Sequence, residues 1–316
     1  MSVVSPVTAD ATVLTGKSEE RSRSALGLKI SDYAGLCRPR IAVMSAVSIA
    51  AGFTLGSTAD IDWSLMVNSI LGIVCFVAAS SILNQVIERG SDGVMSRTEE
   101  RPLVTGRISP LEGWLFGCTA IAIGSAVLLL RVNVLTWVVS LLTMATYVAI
   151  YTPLKRRTAF CTTIGAVPGA MPPVLGWFAA GRAPGMEALA LFALFFVWQF
   201  PHFLAIGWIY RDQYRQAGLK MLPSYEDEGS RAGLLALCYA AAFVPVCCVP
   251  RFIGLAGAGY LCAAVVMSLG YLWLTVRFWQ QRNDQRARQL MLGSLLCLPS
   301  LLFCLVLDFV RLTSSF

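Results

Sequence analysis

The chain is built from successive apolar runs close to 20 residues long, with short polar breaks between them. A helix rises about 1.5 Å per residue, so about 20 apolar residues cross the hydrocarbon layer of a bilayer. A transmembrane β-barrel would instead alternate apolar and polar residues along each strand. Composition agrees: 56% of the 316 residues are hydrophobic and 14% are charged, and mean hydropathy is +0.67. A soluble domain carries about 25% charged residues. The expected fold is all-α and polytopic, with nine spans near 41–57, 64–86, 112–130, 133–151, 161–180, 187–209, 232–250, 253–275 and 290–310. The polar first 30 residues lack an apolar signal-peptide core. Residues 1–35 are expected to be a disordered tail and 36–316 a single transmembrane domain.

Charge placement orients the spans. Of 25 Lys and Arg, only Arg131, Arg182, Arg251 and Arg311 fall on the side away from the N-terminus. Basic residues gather on the cytoplasmic side, so the N-terminus is expected in the cytoplasm. The net charge of +7 then reflects topology and gives no reason to expect nucleic acid. The ten cysteines form no C-x-x-C pair, which excludes zinc-ribbon and thioredoxin-like readings.

Two loops on the basic side are long, about 25 residues each, and long loops in compact proteins are often functional. The first begins N-Q-V-I-E-R-G-S-D at the end of span 2, so Asn84, Glu88 and Asp92 recur every four residues. On a continuing helix they share one face, and Gly90 and Gly93 can end it. An amide and two carboxylates at a membrane surface suit Mg²⁺, which takes hard oxygen ligands and shares substrate phosphates. Arg97 and Arg101 follow, with guanidinium forks that match phosphate oxygens. The second loop, after span 6, repeats the chemistry with Asp212, Arg211, Arg215 and Lys220. Two acidic loops on one face can clamp a diphosphate through metal ions. Tyr151, Lys155 and Arg156 end span 4 on that face, either reaching the phosphates or anchoring the span.

His202, the one histidine, lies late in span 6 after Pro201, among Trp198, Gln199 and Phe203. An ionisable group within a span usually faces an interior cavity. It either bonds the carbonyl freed by Pro201 or serves a bound substrate. Span 5 carries G-A-V-P-G-A-M-P-P-V-L-G-W over 165–177. This is expected to break the helix into a kinked wall, unless its small residues serve close packing.

The first loop, N-x-x-x-[DE]-x-x-x-D-x-x-M-x-R-T-x-x-R-P with G-R-I-S-P behind it, resembles the UbiA superfamily of intramembrane prenyltransferases. W-Q-x-P-H-F, then D-x-Y-x-x-A-G-x-x-M-L-P, resembles its haem-farnesylating branch, as do C-R-P-R-I (37–41) and Y-T-P-L-K-R (151–156). The resemblance runs in order from residue 36 to about 310. Glu88 stands where many superfamily members have Asp. The resemblance implies helices around a central cavity open to lipid, with Mg²⁺ as cofactor. Farnesyl diphosphate and haem b are the implied substrates, and haem O and diphosphate the products. It implies Asn84, Glu88, Asp92 and Asp212 as catalytic metal ligands, and Arg97, Arg101, Lys155, Arg156, Arg211 and Lys220 at the diphosphate. His202, Trp198 and Gln199 are implied at the haem. The implied setting is the bacterial cytoplasmic (inner) membrane, with haem A synthase or terminal-oxidase assembly as partners. A prenyltransferase acting on an aromatic quinone precursor would share the acidic loops. A transporter would more often carry its polar groups in mid-membrane.

Overall fold

The computed structural model describes residues 27–57, 60–224 and 230–313. The apolar runs form long helices. After α1 (27–36) come α2 (Pro39–Gly56), α3 (Trp63–Asp92), α4 (Pro110–Arg131) and α5 (Val134–Ala145). The last continues through a π-helical turn, Thr146–Tyr151, to Leu154. Then follow α6 (Cys161–Ala179), α7 (Met186–Ile209) and the short α8 (Arg211–Gln216). Three long helices complete the fold, α9 (Ser230–Phe252), α10 (Ala258–Gln280) and α11 (Asp284–Thr313). Eight of these stretches are long and apolar enough to cross a membrane. α6 occupies the position of the ninth, its hydropathy diluted by proline and glycine.

Residues 1–26 of the expected tail lie outside the described residues. Its end does not: 27–35 are helical, and Tyr33 and Leu36 pack against Val86, Leu103 and Ile108. α1 is held to the start of α4 by Lys29–Glu112 and to the first loop by Arg107–Asp32.

The bundle has two halves. α3 packs on α4, and α2 on α6; in the other half α7 packs on α9, α9 on α10, and α10 on α11. Contacts of α6 with α7 and of α2 with α11 join the halves. α6 does not break as its prolines suggest; it runs unbroken through Pro168, Pro172 and Pro173. Its small residues serve close approach to α2 instead. A Cβ on Gly52 would lie 1.9 Å from the Pro173 carbonyl oxygen, and one on Gly176 would lie 2.1 Å from that of Ile49. Packing rather than a hydrophobic drive joins helices in lipid, so such backbone contact is a main source of attraction.

The loop ends are built locally. Ser109 caps α4, accepting from the Glu112 amide while Glu112 accepts from the Ser109 amide at 2.8 Å. Pro110 follows at the first helical position, where its missing N–H costs nothing. Gly218 closes α8 at φ +67°, a conformation that glycine enters without penalty.

Candidate active site

α3 continues past its apolar run to Asp92, as the spacing predicts. Asn84, Glu88 and Asp92 therefore share one face, and all three are buried. A different element meets each. Asn84 Nδ2 donates to Thr152 Oγ1 at 3.0 Å, and Arg38 Nη2 approaches Asn84 Oδ1 at 3.4 Å. Glu88 pairs with Lys155, whose Nζ lies 2.9 Å from Oε1 and donates to Oε2 at 3.0 Å. Asp92 pairs with Arg101. Buried carboxylates are costly without a counter-charge, so these pairs are what allow the acids to sit inside.

The π-turn places the groups opposite α3. Thr152 Oγ1 donates to the Tyr147 carbonyl at 2.9 Å, which aims the same oxygen's lone pair at Asn84. Tyr151 lies under Lys155, with Nζ 4.5 Å from the ring centroid. It also fills the space beside Gly165, where a Cβ would meet the ring at 2.5 Å. Burial alone would lower the Lys155 ammonium's pKa; the paired Glu88 carboxylate opposes this, and the group stays above its ordinary value. Burial and the neighbouring Arg38 pull Arg101 below the usual arginine range, against Asp92. Single π-turns are frequent at functional sites.

The two long loops pack on each other. Thr98 Oγ1 donates to the Asp92 carbonyl at 2.7 Å, which curls the first loop back over α3. Met95 packs with Tyr214 and Leu219 of the second loop. Arg97 reaches the Tyr214 hydroxyl at 3.5 Å and lies 5.0 Å from the Tyr210 ring centroid. The Lys220 amide donates to the Lys155 carbonyl at 2.6 Å.

Some expected members stand apart. Asp212 is exposed in the first turn of α8, and among the described residues no three Asp, Glu, His or Cys side chains converge as a metal site. The two-loop clamp is thus not drawn together. Lys155 and Arg101 supply the charge that balances Glu88 and Asp92. Arg211 turns to Asp284 (2.9 Å) and to the Trp208 carbonyl (2.7 Å). Arg156 meets Ser91 Oγ at 3.5 Å, and the Lys220 side chain is exposed. The residues still fit Mg²⁺. Glu88 Oε1 is buried and accepts no hydrogen bond, although Lys155 stands beside it. Mg²⁺ commonly needs only one or two carboxylates beside phosphate and water oxygens.

Deeper along α7, His202 Nδ1 lies 2.6 Å from Ser294 Oγ on α11. The imidazole therefore bonds a neighbouring helix and not the carbonyl that Pro201 frees. Trp198 stacks on it at 5.1 Å and 15°, with its indole N–H donating to the Ser294 carbonyl at 3.0 Å. Gln199, expected beside a macrocycle, is drawn away. Its Nε2 donates to Phe195 O (2.8 Å) and Ala166 O (3.2 Å), tying α7 to α6. A cavity of about 470 Å³ that includes Trp177, Arg182 and Phe309 opens at the opposite end of the bundle and holds none of these residues.

Sequence reading passed over Arg38, Thr152 and Ser294. Arg38 was legible: an arginine before Pro39 in a segment the resemblance covers. It takes φ 49° at the N-cap of α2, a conformation uncommon for a side-chain-bearing residue. Thr152 and Ser294 look like ordinary polar residues of apolar helices, and only tertiary contacts distinguish them.

Comparisons with known proteins place this arrangement. The UbiA prenyltransferase family pattern matches residues 45–301. The chain is 38% identical over 297 residues to a protein of Koribacter versatilis named protoheme IX farnesyltransferase, covering 90% of this chain and 96% of that one. A protein of the same name from Myxococcus xanthus is 38% identical over 280 residues, covering 88% and 94%. Among solved structures, a digeranylgeranylglyceryl phosphate synthase superposes with TM-score 0.76 at 14% identity, covering 90% of this chain and 99% of that one. A UbiA homologue of Archaeoglobus fulgidus bound to GPP and Mg²⁺ gives 0.65 at 20% identity, covering 87% and 99%. From its loop motifs to its helical bundle, this multi-pass membrane chain belongs to the UbiA prenyltransferase family.

Proposed function

We propose that the protein transfers the farnesyl group of farnesyl diphosphate to a vinyl group of haem b, with addition of water, giving haem O and diphosphate. One observation carries this reading: the loop-face acids and bases and the His202–Trp198 pair occur in a chain 38% identical, over nine-tenths of its length, to a protein named protoheme IX farnesyltransferase. The Mg²⁺-bound homologue with its GPP supports a metal-assisted loss of diphosphate.

Asn84, Glu88, Asp92 and Asp212 are the residues that would hold Mg²⁺. Bound there, the ion supplies charge that neutralises the leaving diphosphate. Lys155 and Arg101 pair with Glu88 and Asp92, and Arg97 lies against Tyr214 and Tyr210 of the second loop; all three would give charge-assisted hydrogen bonds to the departing oxygens. Arg156, Arg211 and Lys220 complete the proposed diphosphate set, Arg211 by leaving its contact with Asp284. Stabilising that growing negative charge should be the largest catalytic contribution. The C–O bond breaks to leave an allylic cation, and the haem vinyl group attacks its C1. Water then adds to the resulting cation and releases a proton. The apolar bundle keeps bulk water from the first cation. His202 and Trp198, about two and three turns inward from the end of α7, face the bulkier substrate. The charge asymmetry of the loops supports a cytoplasmic active-site face in a bacterial inner membrane. Haem A synthase and terminal-oxidase assembly are the natural recipients of the product. Residues 36–316 are the catalytic domain, against which 27–35 pack as part of α1.

Membranes containing the protein, incubated with haem b, farnesyl diphosphate and Mg²⁺, should yield haem O by mass. A prenylated hydroxybenzoate with no haem O would overturn the assignment.

A further inference from the structure

Ser294 stands at two short contacts that only one arrangement of protons satisfies. Its Oγ lies 2.6 Å from the Met291 carbonyl oxygen and 2.6 Å from His202 Nδ1. A carbonyl can only accept, and a hydroxyl has one proton. If that proton pointed at Nδ1, the Oγ and Met291 oxygens would face each other lone pair to lone pair at 2.6 Å. The proton must therefore go to Met291, and Nδ1 must carry its own proton and donate it to Ser294. The free lone pair of the neutral ring is then on Nε2. Ser294 is fully buried, and no water need be invoked to complete the chain. The same residue's carbonyl holds the Trp198 indole, and Trp198 stacks on the imidazole. One residue of α11 thus sets the tautomer of His202 and the plane of the ring covering it.

We propose that Ser294 is a positioning residue that fixes His202 as the Nδ1–H tautomer and presents the Nε2 lone pair to the haem substrate. The presentation to haem rests on the proposed function; the tautomer does not. A hydrogen bond on one imidazole nitrogen dictates which nitrogen is free to bind, and loss of such a partner typically costs 10- to 100-fold in metal affinity.

The chain has one histidine, so ¹⁵N-histidine labelling of the full-length protein in detergent or lipid reports His202 alone. Without haem, the expected spectrum has a protonated Nδ1 and an unprotonated Nε2. Ser294→Ala should lose this single tautomer, and Ser294→Thr, which keeps the hydroxyl, should restore it. A wild-type Nε2–H tautomer, or a Ser294→Ala spectrum like that of the wild type, overturns the proposal. In absorbance titrations with haem b, Ser294→Ala should weaken binding about tenfold, and Ser294→Thr should recover it. Unchanged haem affinity in Ser294→Ala, where His202→Ala has lost it, overturns the presenting role. If His202→Ala itself binds haem like the wild type, the haem assignment of His202 fails, while the tautomer result stands independently.

Discussion

Lys155 and Glu88 meet in a buried ion pair that joins the end of the π-turn segment to α3, with Nζ 2.9 Å from Oε1. Under the proposed function the pair sits where a diphosphate arrives, so its two members answer to different demands. In the free protein each neutralises the other. In the proposed reaction Glu88 turns to the metal and Lys155 to the phosphate.

Lys155→Met should therefore damage both stability and turnover. It strands a buried carboxylate, a change that costs about 3 kcal/mol or more. Adding Glu88→Gln removes the stranded charge, so the double variant should regain most of the thermal stability and none of the activity. Thermal unfolding in detergent and haem O yield measure the two separately; an unchanged midpoint in Lys155→Met would contradict the buried pair. The sign of the pH effect follows from the raised lysine value. The pair's contribution is full below the ordinary lysine value of 10.5 and is lost only as pH climbs through the higher folded value. Stability from this pair should not decline between neutral pH and pH 10.

Asp212→Ala tests the second loop. Asp212 is exposed, so its removal should leave thermal unfolding unchanged. Turnover should fall about 100-fold or more, the scale of losing one preorganised charge-stabilising group. The loss should deepen at limiting Mg²⁺, and a chelator should abolish activity in the wild type. Asp212→Ala turning over like the wild type at limiting Mg²⁺ would remove Asp212 from the metal set.

The sequence carried the bundle because hydrocarbon tolerates few structures. Twenty apolar residues in lipid must be helical, and the four-residue spacing of Asn84, Glu88 and Asp92 put them on one face. Less legible was how the acids are kept. Nothing in N-x-x-x-E-x-x-x-D says that Lys155, 67 residues on, neutralises Glu88, or that Arg211 turns to Asp284. Those choices depend on where helices end up relative to each other. α6 misled for a related reason: Pro168, Pro172 and Pro173 argue for a break in isolation, but the helix stays whole with Gly52 and Gly176 bringing backbones into contact.

His202→Ala should separate the two substrates. His202 lies seven residues inside the end of α7, about 10 Å along the axis, and its contacts are Ser294, Trp198 and Phe203 rather than the acid cluster. Haem affinity, read by absorbance titration, should fall, and farnesyl diphosphate affinity, read by competition with a labelled analogue, should stay. The reverse pattern would move His202 to the other half of the site.

Two glycines of the same bundle should respond in opposite directions to the same added methyl. Gly90 lies within α3 between Glu88 and Asp92, and a Cβ there meets no atom within 4 Å. Alanine at this helical position should stabilise by about 0.5–1 kcal/mol through reduced chain entropy in the unfolded state. Activity should be unchanged, because the face carrying Asn84, Glu88 and Asp92 is not altered. Gly52 sits where α2 touches α6, and a Cβ there would lie 1.9 Å from the Pro173 carbonyl oxygen and 2.7 Å from its carbon. These are backbone atoms, so no rotamer change relieves the clash and the helices must separate. Overpacking of that kind costs about 1–3 kcal/mol or more, and here it also opens the close packing that holds α2 to α6. Gly52→Ala should thus lower the thermal midpoint and the amount of folded protein recovered in detergent, while Gly90→Ala raises the midpoint. A Gly52→Ala protein as stable as the wild type would show that α2 and α6 do not meet backbone to backbone.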